Sequence, residues 1–455
     1  MTRYRLTFPE PQYDGVRGHL LQGAREEVAL LFAHEMTTAE TTGLIVRRWE
    51  PVPPAMLLRQ DEDAFVVDSQ FIVSRVKQAR GRGESILLAH SHPGERAAPR
   101  FSRADDRGED DLYPLLQVRI PGRIHGAVVM SPGGQAARLR LPDGTRVPVE
   151  EVRVVGRRVQ RCFGSSRDEQ GGIDEARARQ RLIWGARGQG MLRDATAGIV
   201  GAGGTGSVVA QQLIHLGIGR IIAIDPQVVA ESNVSRIVGV RREDIDVTPK
   251  VAIVARTARA VDPDIDVRPI RGDVTQPEVL SALKAADVLF VCTDSHHSRA
   301  VVNALAVQYA IPLVDLGFLI DVEPETHKVI SAVGEVRIVV PGGYCLSCAG
   351  VLDADRIKAE KASPEERAAN PGYFTRLDVD DPAVITLNST IASLAVTVGG
   401  DMLVPTMRPV SALDSYRYNA VKGLVANVQK HRQPACGICG DEGRAAMGAT
   451  LPLPR

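Results

Sequence analysis

Two histidines one residue apart, His90 and His92, are followed by Pro93 and then by the pair Ser102 and Asp105 in a Ser-x-x-Asp arrangement. Residues two apart on a strand project to the same side, so both imidazoles can face one cation while Ser91 faces away. Asp105 adds a hard carboxylate oxygen, giving three ligands for zinc and leaving a fourth position for water. Zinc lowers the pKa of such water to about 7, and a nearby carboxylate can then take its proton. Glu27, at the head of the apolar run 28–32, is the expected general base, because a carboxylate there is costly to bury without a role; Glu26 is the second choice. Ser102 is expected to donate a hydrogen bond to an oxyanion. Ser-x-x-Asp is also the pattern of a helix N-terminal cap, and the two roles are compatible.

A second centre lies downstream. Gly201, Gly203, Gly204 and Gly206 form a glycine loop between an apolar strand and a helix, so backbone amides at the helix start can receive phosphate oxygens. Asp225 ends the next strand, where a carboxylate binds ribose hydroxyls of either NAD or ATP. Asn233, Arg236 and Lys250 follow and supply polar and cationic groups suited to a triphosphate, which a dehydrogenase does not require. Asp294, after a later strand, lies where open α/β sheets bind ligands and is expected to hold magnesium. Four of the six cysteines form two CxxC pairs, Cys345/Cys348 and Cys436/Cys439, each with the bite of a tetrahedral metal. These read as one structural zinc knuckle.

The elements that must position these groups follow from the apolar pattern. Runs at 27–32, 85–89 and 126–130 read as strands and 69–80 as an amphipathic helix, an α+β unit over residues 1–150. Residues 151–173 become charged and Gly-rich and are expected to be a linker. From residue 197 the pattern repeats as strand (198–200), helix (207–216), strand (221–224), helix (250–261) and strand (288–292), a Rossmann-like doubly wound parallel sheet over 174–445. Residues 353–381 are expected to be an exposed crossover loop and 446–455 a C-terminal tail.

At 455 residues the chain is long enough for at least two separately cored domains. Its 55 basic residues cancel 55 acidic ones, which argues against a nucleic-acid partner. No run of about 18 apolar residues marks a membrane span, and the N-terminal stretch lacks a signal-peptide core, so a cytoplasmic protein is expected.

The first region resembles the JAB/MPN (JAMM) zinc metallopeptidases through Glu27-Val-x-Leu-Leu, His90-Ser-His-Pro93 and Phe101-Ser-x-x-Asp105, with a longer loop before Ser102 than is usual there. That resemblance implies cleavage of the peptide or isopeptide bond after the C-terminal glycine of a ubiquitin-like protein. The second region resembles the ThiF/MoeB-type adenylyltransferases, the fold family of the ubiquitin-activating enzymes. The resemblance rests on Arg179-Gln180, Gly188-Gln189, the glycine loop, Asp225, Ser232-Asn233-x-x-Arg236, Lys250, Cys292-Thr-Asp294 and both CxxC pairs. It implies attack of a carrier's terminal carboxylate on Mg-ATP, with Asp225 on ribose, Asn233, Arg236 and Lys250 on phosphates, Asp294 on magnesium, and Arg179 reaching the ATP of the partner in a homodimer. Gln227 stands where a second Asp is common in that family, and Ile237 replaces a usual Gln.

The expectation is therefore a bifunctional enzyme using ATP, Mg2+ and two zinc ions, one catalytic and one structural, on a β-grasp protein ending in Gly. A conjugating enzyme or a sulfur donor would receive the adenylate. With no cysteine between Cys348 and Cys436, a thioester has only Cys292 or Cys162 to draw on. The alternatives are sulfur-carrier activation for cofactor, thionucleoside or cysteine synthesis, an NAD-dependent dehydrogenase, and a non-catalytic scaffold.

Overall fold

Apolar strands covered by amphipathic helices build two units, and the computed structural model describes residues 2–61, 64–163, 175–369, 382–405 and 414–455. The first unit comprises Met1–Arg167 with Gln308–Ala310 and Arg444–Pro452; the second comprises Asp168–Val307, Ile311–Gly443 and Leu453–Arg455.

The first unit holds β1 (Arg3–Pro9), α1 (Glu10–Leu20), β2 (Val28–Thr37), β3 (Thr41–Pro51), β4 (Leu57–Gln60), β5 (Phe65–Val67), α2 (Ser69–Arg82), β6 (Ser85–Ser91), α3 (Arg103–Arg119), β7 (His125–Ser131), β8 (Gly134–Arg140), β9 (Arg146–Pro148), β10 (Glu151–Val155) and β11 (Val159–Phe163). Among the described residues it is built on a nine-stranded mixed sheet in the order β11-β10-β1-β3-β2-β6-β7-β8-β9. β2 is apolar without alternation because both of its faces are covered. Ala29, Leu31 and Ala33 pack with Leu6, Phe8 and the α1 residues Val16 and Leu20. Val28, Leu30 and Phe32 pack with Phe71 and Val76 of α2 and with Tyr113 and Leu116 of α3.

Residues 151–163, expected to be linker, are instead the hairpin β10–β11, with β10 parallel to β1. Their charges mislead because they are satisfied across strands. The Glu151 carboxylate accepts from Nε of Arg5, Arg153 and Arg161 at 3.1, 3.0 and 2.8 Å, while Val152 and Val154 fill the core. The rest of the expected linker, 164–173, lies outside the described residues. The expected tail is also part of the first unit up to Pro452: Thr450 Oγ1 lies 2.8 Å from Nδ1 of the buried His34 on β2.

The second unit holds α4 (Ala178–Arg193), β12 (Thr196–Val200), α5 (Gly204–Leu216), β13 (Arg220–Ile224), α6 (Lys250–Val261), β14 (Asp266–Ile270), α7 (Pro277–Leu280), β15 (Val288–Val291), α8 (His296–Tyr309), β16 (Leu313–Val322), β17 (Val329–Val339), α9 (Ala354–Lys361), α10 (Pro364–Ala369), α11 (Ile385–Leu403), β18 (Ser415–Asn419) and β19 (Leu424–Val428). Among the described residues its eight strands run β14-β13-β12-β15-β16-β17-β18-β19, parallel as far as β16 and antiparallel beyond. From β12 the chain winds outward through β13 to β14, then returns to β15 on the other side of β12. That reversal opens a crevice at the carboxyl ends of β12 and β15, the place where such sheets bind ligands.

The expected loop 353–381 contains α9 and α10 in its first half; residues 370–381 lie outside the described residues. Local caps explain the difference. Asp353 accepts from the amides of Asp355 and Arg356, and Ser363 and Glu366 cap each other reciprocally, so a charged stretch still closes two short helices. Among the described residues, no helix is long and apolar enough to cross a membrane.

Candidate functional site

In the first unit β6 runs antiparallel to β2 with His90 opposite Val28. Continuing that register places Ser91 opposite Glu27 and His92 opposite Glu26. The Ser91 amide donates to Glu27 O at 3.1 Å, and the Glu27 amide donates to Ser91 Oγ at 2.9 Å. The carboxylate on the histidine side is consequently that of Glu26, which is 3% exposed, with Oε1 3.6 Å from His92 Nε2. The expectation of Glu27 at this position is corrected: a shift of one residue along a strand moves a side chain to the other face, and only the pairing with β6 decides which residue faces in.

Asp105 comes from the first turn of α3. Its Oδ2 accepts from the Ser102 amide at 2.6 Å and Ser102 Oγ accepts from the Asp105 amide at 3.1 Å, a reciprocal cap that aims the carboxylate at the histidines. Asp105 Oδ1 lies 3.0 Å from His90 Nε2 and Oδ2 lies 3.6 Å from His92 Nε2. Burial works to raise the Asp105 carboxyl, but the imidazoles beside it hold it well below the usual carboxylate range. Because the Ser102 oxygen is used as an acceptor, its hydroxyl proton is still available to donate.

Neither ring nitrogen of the buried His90 has a hydrogen-bond partner among the described residues. An imidazole nitrogen 3.0 Å from a carboxylate oxygen but poorly aligned for a hydrogen bond suits a cation shared between them. The ligand atoms of His90, His92 and Asp105 all lie within 4.8 Å of one another. Neighbouring ligands about 2.0 Å from a tetrahedral zinc would stand about 3.3 Å apart, so these residues fit that ion.

The four cysteines also gather. Sγ of Cys345 lies 3.9 Å from Cys348 and 3.7 Å from Cys436, and Cys348 lies 3.4 Å from Cys439. Zinc–sulfur bonds of about 2.3 Å in a tetrahedron set sulfurs about 3.8 Å apart, so the cluster has the dimensions of a structural zinc site. Cys436→Ser in the full chain is expected to release one equivalent of zinc and to destabilise the second unit by about 4 kcal/mol or more, since losing a metal ranks among the largest single-residue effects. Metal analysis and calorimetry check this; unchanged zinc content and an unchanged melting profile would remove the metal from this cluster.

At the crevice of the second unit, Gly201 follows β12 with φ +90° and Gly203 precedes α5. A Cβ on Gly206 would fall 1.8 Å from Gly201 O, so the turn closes only without a side chain there. A Cβ on Gly203 would meet nothing within 4 Å, so that glycine borders open space, and no side chain caps the α5 amides. Such amides, with the helix dipole behind them, form an anion-binding end.

Asp225, just past β13 and buried, accepts from Ala202 N at 2.8 Å and from Gln227 N at 2.9 Å, which ties it to the glycine loop. Lys250 opens α6, is 7% exposed, and donates from Nζ to Gln227 Oε1 at 2.5 Å. Asn233 Oδ1 accepts from Ala230 N at 3.0 Å, fixing the short turn from which Arg236 extends to Gly204. Asp294 is exposed, three residues beyond the end of β15. Arg179 is exposed on α4, away from these groups in sequence and without a role visible in the fold itself.

Three features of the crevice were not anticipated. Asn388 of α11 lies against the loop, its Nδ2 2.5 Å from where a Gly204 Cβ would be. Gln227, noted only as a departure, is the direct partner of Lys250. Glu360 of α9 accepts from Ser295 Oγ, His296 N and His297 N at 2.6, 2.9 and 2.7 Å and so caps α8 next to Asp294. Asn388 and Glu360 come from distant segments, so no local motif announces them. Cys292 is beside the crevice, but burial, aided by Asp315, pushes its thiol far above the ordinary range, which disfavours the thiolate.

A family model described as "ThiF family" matches residues 177–438, more than half of the chain. The chain belongs to the ThiF family. Within it, the SAMP-activating enzyme E1 of Haloferax volcanii is 28% identical over 262 residues, 57% of this chain and 85% of that protein. The sulfur carrier protein adenylyltransferase of Thermus thermophilus is 28% identical over 262 residues, 57% of this chain and 87% of that protein. The crystal structure of E. coli MccB with ATP has 20% sequence identity and a TM-score of 0.48, covering 60% of this chain and 76% of that one. The ThiF match makes the second unit an adenylyltransferase of this family and leaves residues 1–176 outside its span.

Proposed function

We propose that the second unit adenylates the C-terminal glycine of a small ubiquitin-like or sulfur-carrier protein with Mg-ATP. A carboxylate oxygen of the carrier attacks the α-phosphorus, the bond to the bridging oxygen breaks, and pyrophosphate leaves with the electron pair; the product is an acyl-adenylate. The observation that carries this reading is the convergence of uncapped α5 amides, Asp225, Arg236 and Lys250 on one crevice in a ThiF-family chain.

Each residue has a stated task. Asp225, oriented by two backbone amides, has lone pairs left for ribose hydroxyls. The α5 amides, Asn233, Arg236 and Lys250 hold phosphate oxygens and stabilise the charge that builds on the departing pyrophosphate. Asp294 would hold magnesium, which when bound neutralises phosphate charge. Arg179, exposed on α4, extends to the ATP of a partner subunit in a homodimer. Sulfur-carrier activation is the favoured branch: the Thermus relative is named for it, and burial raises the Cys292 thiol, which disfavours the thiolate that a thioester would need.

The experiment is exchange of labelled pyrophosphate into ATP, with Mg-ATP and candidate β-grasp proteins ending in Gly. Exchange that depends on the terminal Gly and is lost in Asp294→Ala supports the reading. No exchange with any carrier, or exchange indifferent to Asp294, would sink it.

A second reading concerns the first unit. We infer that it is a zinc hydrolase of the JAB/MPN type acting on the peptide or isopeptide bond after a carrier's terminal glycine, on the strength of Glu26 facing the His90, His92 and Asp105 cluster. Zinc, when bound there, supplies an activated water and polarises the scissile carbonyl. Glu26 takes the proton of that water and returns it to the leaving nitrogen, and the Ser102 hydroxyl donates to the developing oxyanion.

A further inference from the structure

We propose that Glu95 is a positioning residue for the centre in the first unit, holding His92 so that its Nε2 lone pair points at the metal position; this rests on the zinc reading of His90, His92 and Asp105. The two nitrogens of the His92 ring have different surroundings. Nδ1 lies 3.1 Å from Glu95 Oε1, whereas Nε2 lies 3.6 Å from both Asp105 Oδ2 and Glu26 Oε1.

A neutral imidazole carries one proton, and an ionised carboxylate can only accept. With Glu95 on Nδ1 the proton stays there, and Nε2 is left with a free lone pair on the side of Asp105. A carboxylate behind a ligating histidine fixes the tautomer, the ring orientation and the basicity of the other nitrogen. Glu95 is placed for this by the turn that follows β6, where its amide donates to His92 O at 3.2 Å.

His90 is held by a different means. Its nitrogens have no hydrogen-bond partner among the described residues, and its ring lies between Phe65 and Phe101, with centroids 5.4 and 6.3 Å away. Both ligands face Asp105 through Nε2, but behind that contact His90 is confined by aromatic packing and His92 by the Glu95 carboxylate on Nδ1. The Glu95 side chain is 46% exposed, so its bond to His92 competes with water and adds little to folding. Its effect belongs in metal affinity, which separates a positioning role from a structural one.

The test uses the full chain loaded with zinc and titrated with a chromophoric chelator, counting equivalents released. The native chain is expected to release two, the weaker of which is absent in His92→Ala. Glu95→Ala should weaken that equivalent about 10- to 100-fold while the melting temperature of the metal-free protein stays unchanged. Glu95→Gln, whose amide oxygen still accepts from Nδ1–H, should recover part of the loss. Two equivalents in the native chain with unaltered affinity in Glu95→Ala would overturn the positioning role alone. An equal fall in metal-free stability would make the residue merely structural. A single equivalent in the native chain would defeat the zinc reading itself.

Discussion

Lys250→Gln should lower carrier-dependent pyrophosphate exchange by about 10²–10³-fold, the usual cost of removing one preorganised group from a developing anion. Lys250 is nine-tenths buried at the start of α6, and its amino group is held on Gln227 at 2.5 Å, so the charge is fixed before any ligand arrives. Gln keeps a hydrogen-bonding head, one bond shorter than that of Lys, but carries no charge. If Lys250 serves only to pack and cap, Lys250→Gln will exchange pyrophosphate at nearly the native rate, and its phosphate role is lost. Circular dichroism and thermal melting of the same variant guard against a folding artefact.

Glu26→Gln and Glu27→Gln form the second pair of large effect. Removing a general base costs typically 10²–10⁴-fold, so cleavage of a C-terminally extended carrier should fall by about that factor in Glu26→Gln, with zinc retained. Glu27→Gln should remain within a few-fold of the native chain, because its side chain is on the opposite face of the strand. Full activity in Glu26→Gln together with loss in Glu27→Gln would show that the register around His92 is wrong or that the base is elsewhere.

The contrast between these two glutamates also marks how far local pattern reaches. The strands at 27–32, 85–89, 198–200 and 288–292 were legible because residues covered on both faces are apolar without interruption, and the helix starting near residue 207 because a glycine loop precedes it. The His90/His92, Cys345/Cys348 and Cys436/Cys439 pairs were legible because short spacing already gives each the bite of a metal chelate, whereas the fold brings Asp105 and the second cysteine pair to them. Which glutamate joins the histidines was not, since side-chain parity on β2 is set by a partner strand more than fifty residues away. The hairpin β10–β11 escaped for a related reason: Glu151 is charged in sequence but neutralised by Arg5 and Arg161, which only the folded sheet brings to it. Asn388 at the glycine loop and Glu360 at α8 depend on contacts between segments far apart, where composition carries no information.

The segment Arg444–Pro452 has a consequence for how the molecule is made. Gly448, at φ +48°, runs so close to β2 that a Cβ would stand 2.3 Å from Glu35 O, and Thr450 meets His34 beside it. During synthesis this flank of β2 stays bare until a segment about 410 residues downstream of Glu35 has left the ribosome. A fragment ending near residue 167 would keep that flank permanently uncovered, so separating the two units by simple truncation should yield a less stable first half than co-expressing it with the missing 444–452 peptide.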